Sequence, residues 1–254
     1  MTTLTDTWLV FVRSLKQSLH NPVWVIIGVF QPVVYLVLFG PLLAPIITHT
    51  PGFPPGDAWQ VLVPALLVQQ GVFGALYVGF GLIGEYRAGV VERMRVTPIS
   101  RAALLLGRAL KDSLVLVIQG VLLVILATAF GLRTPVTGVL LALALLGVIG
   151  LAMSSVSYAL ALKLKTEDAL APVFNTLGVP LVLLSGILLP MTLAPTWLYV
   201  ISRVNPFVHI VDAMRALFRG DLTEPVVGVG LGLTVALVAL AVTWGVRTFQ
   251  RESA

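Results

Sequence analysis

Six long apolar segments, separated by short polar stretches, constrain the fold of this chain more than any other feature. Each is close to the roughly 20 residues that an α-helix needs to cross a bilayer. Hydrophobic residues make up 58% of the chain and charged residues only 11%, whereas a soluble domain carries about 25% charged residues. The sequence therefore predicts an all-α integral membrane protein with six transmembrane helices, at about residues 23–43, 60–84, 110–130, 136–162, 170–189 and 226–246.

The distribution of lysine and arginine predicts how these helices are oriented. Most of these residues lie in the N-terminal segment, the loop after the second span, the loop after the fourth span and the C-terminal tail. Cytoplasmic segments of membrane proteins carry such an excess, and an even number of spans places both termini on one side. We therefore expect both termini in the cytoplasm. The same excess explains the net charge of +5 without a nucleic-acid partner.

The first 21 residues carry an amphipathic pattern of their own. Apolar side chains recur with the spacing of one helical face, at Leu4, Trp8, Phe11, Val12, Leu15 and Leu19. Asn21-Pro22 ends the pattern, because proline disfavours helix at the residue before it. Segment 1–21 is therefore predicted to be an amphipathic helix in the cytoplasmic membrane interface. A simple membrane anchor is one interpretation of this helix.

The loop over residues 85–101 differs from an ordinary membrane-flanking loop. It reads E-Y-R-A-G-V-V-E-R-M-R-V-T-P-I-S-R, so acidic and basic residues interleave with apolar ones. Gly89 interrupts the helical pattern, Thr97-Pro98 ends it, and Ser100 is placed to cap the next helix. A short helix with apolar side chains and charges of both signs favours a protein–protein contact over a solvated basic loop. The short charged loop 163–168 is a second, smaller candidate contact.

Segment 184–215 is not patterned like a membrane-crossing helix. An apolar run breaks and stops, an amphipathic aromatic stretch follows, and a short helix with polar side chains comes last. The residues that mark these steps are Ser185, Gly186, Pro190, Trp197, Asn205, Pro206, Asp212 and Arg215. The pattern predicts a re-entrant helical hairpin on the external side, over 189–220. His209 and Asp212 are too few ligands for a metal site, so local hydrogen bonds or an Asp212–Arg215 pair are the preferred interpretation.

Several polar side chains fall inside the predicted spans, where they are costly unless they face protein or water. They are Gln31, Gln69, Gln70, Gln119, Ser154, Ser155, Ser157, Tyr158 and Asn175. For any one of them, a hydrogen bond between helices is the simpler interpretation. No acidic or basic side chain lies at the centre of a predicted span, which favours an energy source outside the membrane over an ion-coupled carrier. The chain also lacks the G-x-x-x-x-G-K-[ST] phosphate loop, so it is not expected to be an ATP-hydrolysing enzyme.

Two of these patterns resemble those of one family. The S-G…P…P-x-W…N-P…D-A-x-R pattern of 184–215 and the E-x-R-x-G…E-R-x-R-x-T-P-x-S-R pattern of 85–101 are similar to those of type-2 ATP-binding-cassette exporter permeases, in particular the daunorubicin-resistance-like drug exporters. The resemblance covers nearly the whole chain, as one permease domain over 1–254. It implies the membrane subunit of an exporter of a hydrophobic drug, antibiotic or lipid-like compound, in the inner or plasma membrane of a prokaryote. A secondary carrier or channel independent of ATP, or a membrane subunit without transport, is the alternative.

The resemblance also implies partners and residue roles. A separate ATPase subunit would hold ATP and Mg²⁺ and would also touch helix 1–21, no cofactor would bind this chain, and a second permease copy would complete a homodimer in the bilayer. The coupling helix would involve Glu85, Arg87, Gly89, Glu92, Arg93, Arg95, Thr97 and Pro98. The substrate pathway would include Gln31, Tyr35, Gln69, Gln70, Asn175, Gly178 and Ser185. The external hairpin would be marked by Pro190, Trp197, Asn205, Pro206, Asp212 and Arg215.

Overall fold

A computed structural model describes residues 3–20, 23–49, 52–90, 99–187 and 189–252. Within these ranges the chain folds as α-helices joined by short turns, with a 3₁₀ turn at Met191–Leu193 and no β-strand. The helices are α1 (Thr3–His20), α2 (Val23–His49), α3 (Ala58–Leu76), α4 (Val78–Arg87), α5 (Arg101–Ala129), α6 (Val136–Leu164), α7 (Glu167–Leu183), α8 (Thr196–Ser202), α9 (Pro206–Arg219) and α10 (Pro225–Glu252). The prediction of an all-α fold is confirmed.

Five helical stretches among the described residues are long and apolar enough to cross a membrane, namely α2, α3 together with α4, α5, α6 and α10. The sixth predicted span, 170–189, corresponds to α7. This helix has 17 residues and extends over about 25 Å, less than the roughly 30 Å of a bilayer core. It ends earlier than predicted because the chain turns after Leu183, and Gly186 in that turn has a φ of +74°. The chain is therefore a multi-pass membrane protein in which α7 is shorter than the five stretches of membrane length.

α6 lies at the centre of the fold. It packs against α3, α4, α5, α9 and α10, and side chains such as Leu146 and Ile149 are fully buried. In the most apolar window of α3 and α4, 78% of the residues are buried, compared with 17% in α2 and 22% in α10. α3 and α4 therefore belong to the core, whereas α2 and α10 lie at the periphery and expose apolar outer faces.

The second predicted span is one apolar run in the sequence but two helices in the structure. α3 ends at Leu76 and α4 begins at Val78, and Ser157 of α6 lies at the break. Its hydroxyl donates to the Leu76 carbonyl and accepts a hydrogen bond from the Gly79 N–H at 2.9 Å. A side chain that inserts into the backbone hydrogen bonds of a helix is a common cause of a kink. A contact between α6 and this span therefore accounts for the break.

α1 packs against α5 through its less apolar side. Asp6 and Val10 are its buried residues, and Gly107 of α5 makes room for them, because a Cβ atom at Gly107 would lie 2.7 Å from the Val10 Cβ atom. Two side chains of the apolar stripe, Leu4 and Trp8, remain exposed, with Leu4 at 84%. The apolar side of α1 is therefore available to a bilayer or to another protein.

Candidate functional site

α9 forms a nearly buried helix within the segment 189–220. Asn205 caps its start, and the side-chain oxygen of Asn205 accepts a hydrogen bond from the Phe207 N–H at 3.0 Å. Pro206 occupies the first turn, where proline is well tolerated. Gly220 ends the helix with a φ of +92°, a left-handed conformation that favours glycine. Every residue from 207 to 218 is buried except positions 209 and 212.

Two glycines in the neighbouring helices allow α9 to pack closely. A Cβ atom at Gly138 of α6 would lie 1.9 Å from the Leu217 carbonyl oxygen. A Cβ atom at Gly230 of α10 would lie 2.3 Å from the Ala213 Cβ atom. Such atoms do not approach each other within 3.0 Å in proteins. The packing of α9 between α6 and α10 therefore depends on glycine at both positions.

Arg215 connects α9 to two other parts of the chain. Its side chain is 4% exposed. The Nε atom donates a hydrogen bond to the Val61 carbonyl in α3 at 3.2 Å, and Nη2 donates to the Gly186 carbonyl after α7 at 2.9 Å. Burial lowers the pKa of Arg215 to about 10, and the Asp212 carboxylate opposes that shift. Arg215 is therefore still charged at neutral pH and holds α3, α9 and the turn after α7 together.

A polar network lies on the less buried side of α9. Asp212 lies 3.2 Å from Arg203 and 3.9 Å from Arg215, and His209 contacts the Arg203 carbonyl at 3.1 Å. Nδ2 of Asn205 donates to the Leu181 carbonyl of α7 at 2.7 Å. Among the described residues, no three His, Cys, Asp or Glu side chains are grouped so that they could hold a metal ion. His209 and Asp212 thus have local partners, and the network connects α9 with the turn before it and with α7.

A cavity of about 80 Å³ lies beside this network and is bordered by Ser185, Pro190, Tyr199 and Arg203 among others. It is smaller than the roughly 300–1,000 Å³ of a ligand pocket. Pro190 is buried, whereas Trp197 of α8 is exposed. The segment 189–220 is therefore a packed structural unit with an exposed aromatic edge rather than a binding pocket within one chain.

A second group of polar side chains connects α4, α5 and α6. Nη2 of Arg108 in α5 lies 2.6 Å from Oε2 of Glu85 in α4, as an ion pair. Four residues further along α5, the buried Asp112 contacts Lys111, and it also accepts a hydrogen bond from the Tyr158 hydroxyl of α6. Charged groups that leave water are costly unless they are paired. This network therefore fixes the three helices relative to one another, at the end of α4 from which loop 85–101 departs.

Sequence reasoning did not identify this network. The lysine and arginine pattern places Arg108 and Lys111 among the charges of the loop after the second span, and it assigns no partner to Tyr158 or Asp112. A signal was present in the sequence, because Arg108 and Asp112 are four residues apart and so lie on one face of a helix. The partners Glu85 and Tyr158 come from other helices, and no local pattern relates them to Asp112.

The predicted coupling residues are only partly within the described ranges. Glu92, Arg93, Arg95, Thr97 and Pro98 lie outside them. Of the others, Glu85 is paired with Arg108, and Gly89, one residue before the end of the described part, has a φ of +68°. Nη1 of Arg87 lies 3.5 Å from Oε1 of Glu167, the first residue of α7, with both side chains exposed. The start of loop 85–101 therefore contacts loop 163–168, the second predicted contact, through Glu167.

The predicted pathway residues are not gathered into one cavity of a single chain. Gln31 on α2 and Asn175 on α7 are exposed on the outer surface, and Tyr35 is half-buried. The others, Gln69, Gln70, Gly178 and Ser185, are buried. A Cβ atom at Gly178 would lie 3.3 Å from the Phe73 ring, and Ser185 donates to the Val182 carbonyl at 2.6 Å. The exposed and the buried residues therefore form two separate sets.

Within the buried set, Gln70 of α3 donates a hydrogen bond to the side chain of Gln119 in α5 at 3.0 Å. This contact joins two helices through their side-chain amides, and such bonds help helices to associate in membranes. The neighbouring Gln69 is also buried, and its side-chain oxygen has no hydrogen-bond donor among the described residues. Gln70 therefore joins α3 to α5 through its side-chain N–H, and the side-chain oxygens of Gln69 and Gln70 both lack a donor among the described residues.

Together these features define a class: a multi-pass helical membrane protein with polar networks between its helices and no phosphate loop of its own. Residues 5–218 match the family model described as ABC-2 type transporter. The chain belongs to this family, so it is the membrane transport subunit of an ABC transporter, a type of permease that works with an ABC ATPase. The resemblance to type-2 ATP-binding-cassette permeases is thereby confirmed.

Individual relatives match along most of the chain. A transport permease named ycf38 from Cyanophora paradoxa is 27% identical over 208 residues, which cover 81% of this chain and 71% of that protein. The ycf38 permease of Porphyra purpurea is 26% identical over 236 residues, covering 87% and 79%. The doxorubicin resistance ABC transporter permease protein DrrC of Mycobacterium tuberculosis is 22% identical over 224 residues, covering 85% and 78%.

Proposed function

We propose that this subunit exports a hydrophobic drug, antibiotic or lipid-like compound from the cytoplasm or the inner leaflet, driven by ATP hydrolysis on a separate ATPase subunit that also holds Mg²⁺. Family membership and the similarity to a protein named for doxorubicin resistance support this proposal. The observation that carries the coupling step is the polar network beside loop 85–101, in which Glu85 pairs with Arg108 and Asp112 contacts Tyr158. This network offers a continuous mechanical connection from the loop to the membrane helices.

In this mechanism, loop 85–101 is the coupling helix and contacts the ATPase. Closure of the ATPase on ATP displaces the loop. Because Glu85 is paired with Arg108, the displacement moves the end of α4 together with α5. The contact between Arg87 and Glu167 extends the displacement to the start of α7, although an exposed ion pair of this kind contributes little energy.

The route for the substrate lies between two copies of the chain in a homodimer. α2 and α7 are proposed as the first and fifth of six spans, with α7 reaching across the bilayer together with the turn that follows it. Their outer faces carry the exposed polar residues Gln31 and Asn175 beside exposed apolar ones such as Phe30 and Leu177. A polar side chain that faces lipid is unfavourable. A second copy that covers these faces would remove Gln31 and Asn175 from lipid and place them beside the route.

The orientation of the proposed exporter follows from the excess of Lys and Arg. Both termini and loop 85–101 face the cytoplasm of a prokaryotic cell, and segment 189–220 faces the outside of its inner or plasma membrane. α1 lies in the cytoplasmic interface, with the exposed side chains of Leu4 and Trp8 towards lipid or the ATPase. The substrate leaves past segment 189–220.

Affinity purification of the tagged permease from its own cells, in mild detergent, tests this function. An ATPase subunit should be recovered in near-stoichiometric amounts, and an amphipathic drug such as doxorubicin should stimulate its activity in liposomes. Glu92→Lys, in the proposed coupling helix, should lower recovery of the ATPase about tenfold or more, because reversing an interfacial charge costs several kcal/mol. Arg133→Glu is the matched control, since Arg133 is exposed and predicted on the opposite side. Purification without any ATPase, or equal losses in both variants, would contradict the proposal.

An ATP-independent carrier is the second candidate, and one observation favours it. Asp112 is a buried carboxylate within the membrane helix α5, beside Tyr158, and a proton-coupled carrier needs a titratable group in the membrane. Liposomes that contain the permease alone distinguish the two functions. Uptake driven by a proton gradient and abolished by Asp112→Asn would favour the carrier, whereas uptake only with ATPase and ATP would favour the exporter.

A further inference from the structure

Three basic side chains converge on a cavity of about 340 Å³ between the ends of α6 and α10. Lys163 comes from the last turn of α6, and Arg247 and Arg251 come from the last turns of α10. Trp244 and Thr248 complete the lining. Arg247 and Thr248 are adjacent, and each is three or four positions from both Trp244 and Arg251, so the four α10 residues lie on one face of the helix. The Lys163 Nζ atom lies 5.4 Å from the centre of the Trp244 ring.

Among the side chains that the structure describes, no carboxylate neutralises this charge. None of the described carboxylates forms an ion pair with Lys163, Arg247 or Arg251. A helix C-terminus attracts cations, but that attraction falls off within the last turn. This attraction can stabilise the charges of Lys163 and Arg251, which lie in the last turns of their helices. It does not reach Arg247, which lies more than one turn before the end of α10 at Glu252. Like charges around one cavity repel each other, so the arrangement favours an anion as their partner.

We propose that this cavity binds the phosphate group of an anionic phospholipid. Arginine presents its N–H groups in a fork that matches phosphate oxygens. The cavity lies at the ends of two membrane-crossing helices, and tryptophan is enriched at the membrane interface. Basic pockets between transmembrane helices are a known type of site for lipid headgroups.

The surface next to the cavity distinguishes a lipid from free phosphate. Leu240 lies one helical turn before Trp244 on α10 and is 74% exposed. An acyl chain can therefore lie along the apolar face of α10 while its phosphate occupies the cavity. Inorganic phosphate offers the same oxygens but has no apolar part to contact Leu240. The excess of Lys and Arg predicts that this end of the two helices lies in the cytoplasmic leaflet.

Native mass spectrometry of the full-length permease in neutral detergent tests this site. The probes are dioleoyl-phosphatidylglycerol, dioleoyl-phosphatidylcholine and inorganic phosphate. The site variant is Lys163→Gln/Arg247→Gln/Arg251→Gln. The control variant, Arg13→Gln/Lys16→Gln/Arg133→Gln, removes the same charge from three exposed residues elsewhere. Each basic residue near a membrane surface contributes roughly fivefold to the affinity for an anionic lipid.

The wild-type protein should bind phosphatidylglycerol at least about tenfold more tightly than phosphatidylcholine, and the site variant should lose at least about tenfold of that affinity. The control variant should retain it. Equal losses of lipid affinity in both variants would overturn the proposal and indicate unspecific charge attraction. Displacement of the lipid by inorganic phosphate at a concentration similar to that of the lipid would also overturn it and indicate a site for a soluble anion. The single variant Arg251→Gln should lose about fivefold in affinity for phosphatidylglycerol. It replaces the triple variant if thermal melting without lipid shows that the triple variant does not fold.

Discussion

Glu85 in α4 and Arg108 in α5 form an ion pair of 2.6 Å, and the Arg108 side chain is only 9% exposed. The pair lies where loop 85–101 departs from the membrane helices. It therefore joins the segment proposed to contact the ATPase with the helix that carries Asp112, whose carboxylate contacts Tyr158 of the central helix α6. These contacts link the start of the loop to the packing of the helix bundle.

Replacement of Arg108 should destabilise the protein and weaken coupling together. Arg108→Gln leaves the Glu85 carboxylate without its cation in a poorly solvated place, which should cost about 3 kcal/mol of unfolding free energy. The double variant Glu85→Gln/Arg108→Gln should be more stable than Arg108→Gln alone, because it carries no unpaired charge. Thermal unfolding in detergent and ATPase stimulation in liposomes measure the two effects.

The control for this prediction is Arg87→Gln. Arg87 also pairs with a glutamate, Glu167, but both side chains are exposed, so its loss should cost less than about 1 kcal/mol. If Arg108→Gln and Arg87→Gln have the same melting temperature, or if the double variant is the least stable, the Glu85–Arg108 pair does not have the role described.

Replacement of Arg215 should destabilise segment 189–220 from within. Arg215→Met removes both donors to the Val61 and Gly186 carbonyls, and the loss of hydrogen bonds to buried acceptors should cost roughly 3 kcal/mol. Arg203→Met removes a charge from the same segment. Because Arg203 is exposed, this replacement should cost less than about 1 kcal/mol of unfolding free energy. Size-exclusion chromatography after heating compares the variants. Equal stability of Arg215→Met and wild type would contradict the proposed contacts.

A glycine pair on α10 provides a test of how closely α9 packs. Gly230→Ala places a Cβ atom 2.3 Å from the Ala213 Cβ atom and 3.0 Å from the His209 carbonyl oxygen. Overpacking of this kind should cost about 1–3 kcal/mol. Gly232→Ala, two residues further along the same helix, meets no atom within 4 Å, and should be neutral or up to about 1 kcal/mol stabilising. Comparison of the melting temperatures of the two variants checks the prediction, and a melting temperature of Gly232→Ala below that of Gly230→Ala would refute it.

The sequence predicted most of the helices because their signals are local. Apolar runs of membrane length predicted all five described stretches that are long enough to span a membrane, and Asn205-Pro206 correctly predicted the start of α9. The break between α3 and α4 could not be predicted, since its cause is the hydroxyl of Ser157 from another helix. The early end of α7 has a local cause, Gly186, which the sequence marked as a break in the apolar run, although the predicted span extended past it to residue 189.

The candidate site was less accessible to sequence reasoning, because its contacts join distant parts of the chain. Arg215 was recognised as a marker of the segment, but its acceptors are backbone carbonyls of Val61 and Gly186, which any residue offers. Asp112 was missed because its partner Tyr158 lies on another helix. Charged and polar side chains can be located in a sequence, whereas their pairing is a property of the packed helices.

Cross-linking of cysteine variants tests the proposed pairing of two chains. The chain contains no cysteine, so only the introduced thiols can be cross-linked. Gln31 on α2 and Asn175 on α7 are both exposed, and the proposed dimer brings the two helix faces of one copy against those of the other. The double variant Gln31→Cys/Asn175→Cys should therefore give a dimer-sized product with a short bismaleimide in native membranes.

The control for this experiment is Leu240→Cys, on the outer face of α10. Leu240 is exposed among other exposed apolar side chains, as Gln31 and Asn175 are. It lies, however, on a helix that the proposed interface leaves in contact with lipid. A thiol there should react with a monofunctional maleimide and yet give little dimer. If Leu240→Cys forms dimers as readily as the variant on α2 and α7, the copies meet through α10 or only collide in the bilayer. The route between α2 and α7 would then have no support, because Gln31 and Asn175 would face lipid.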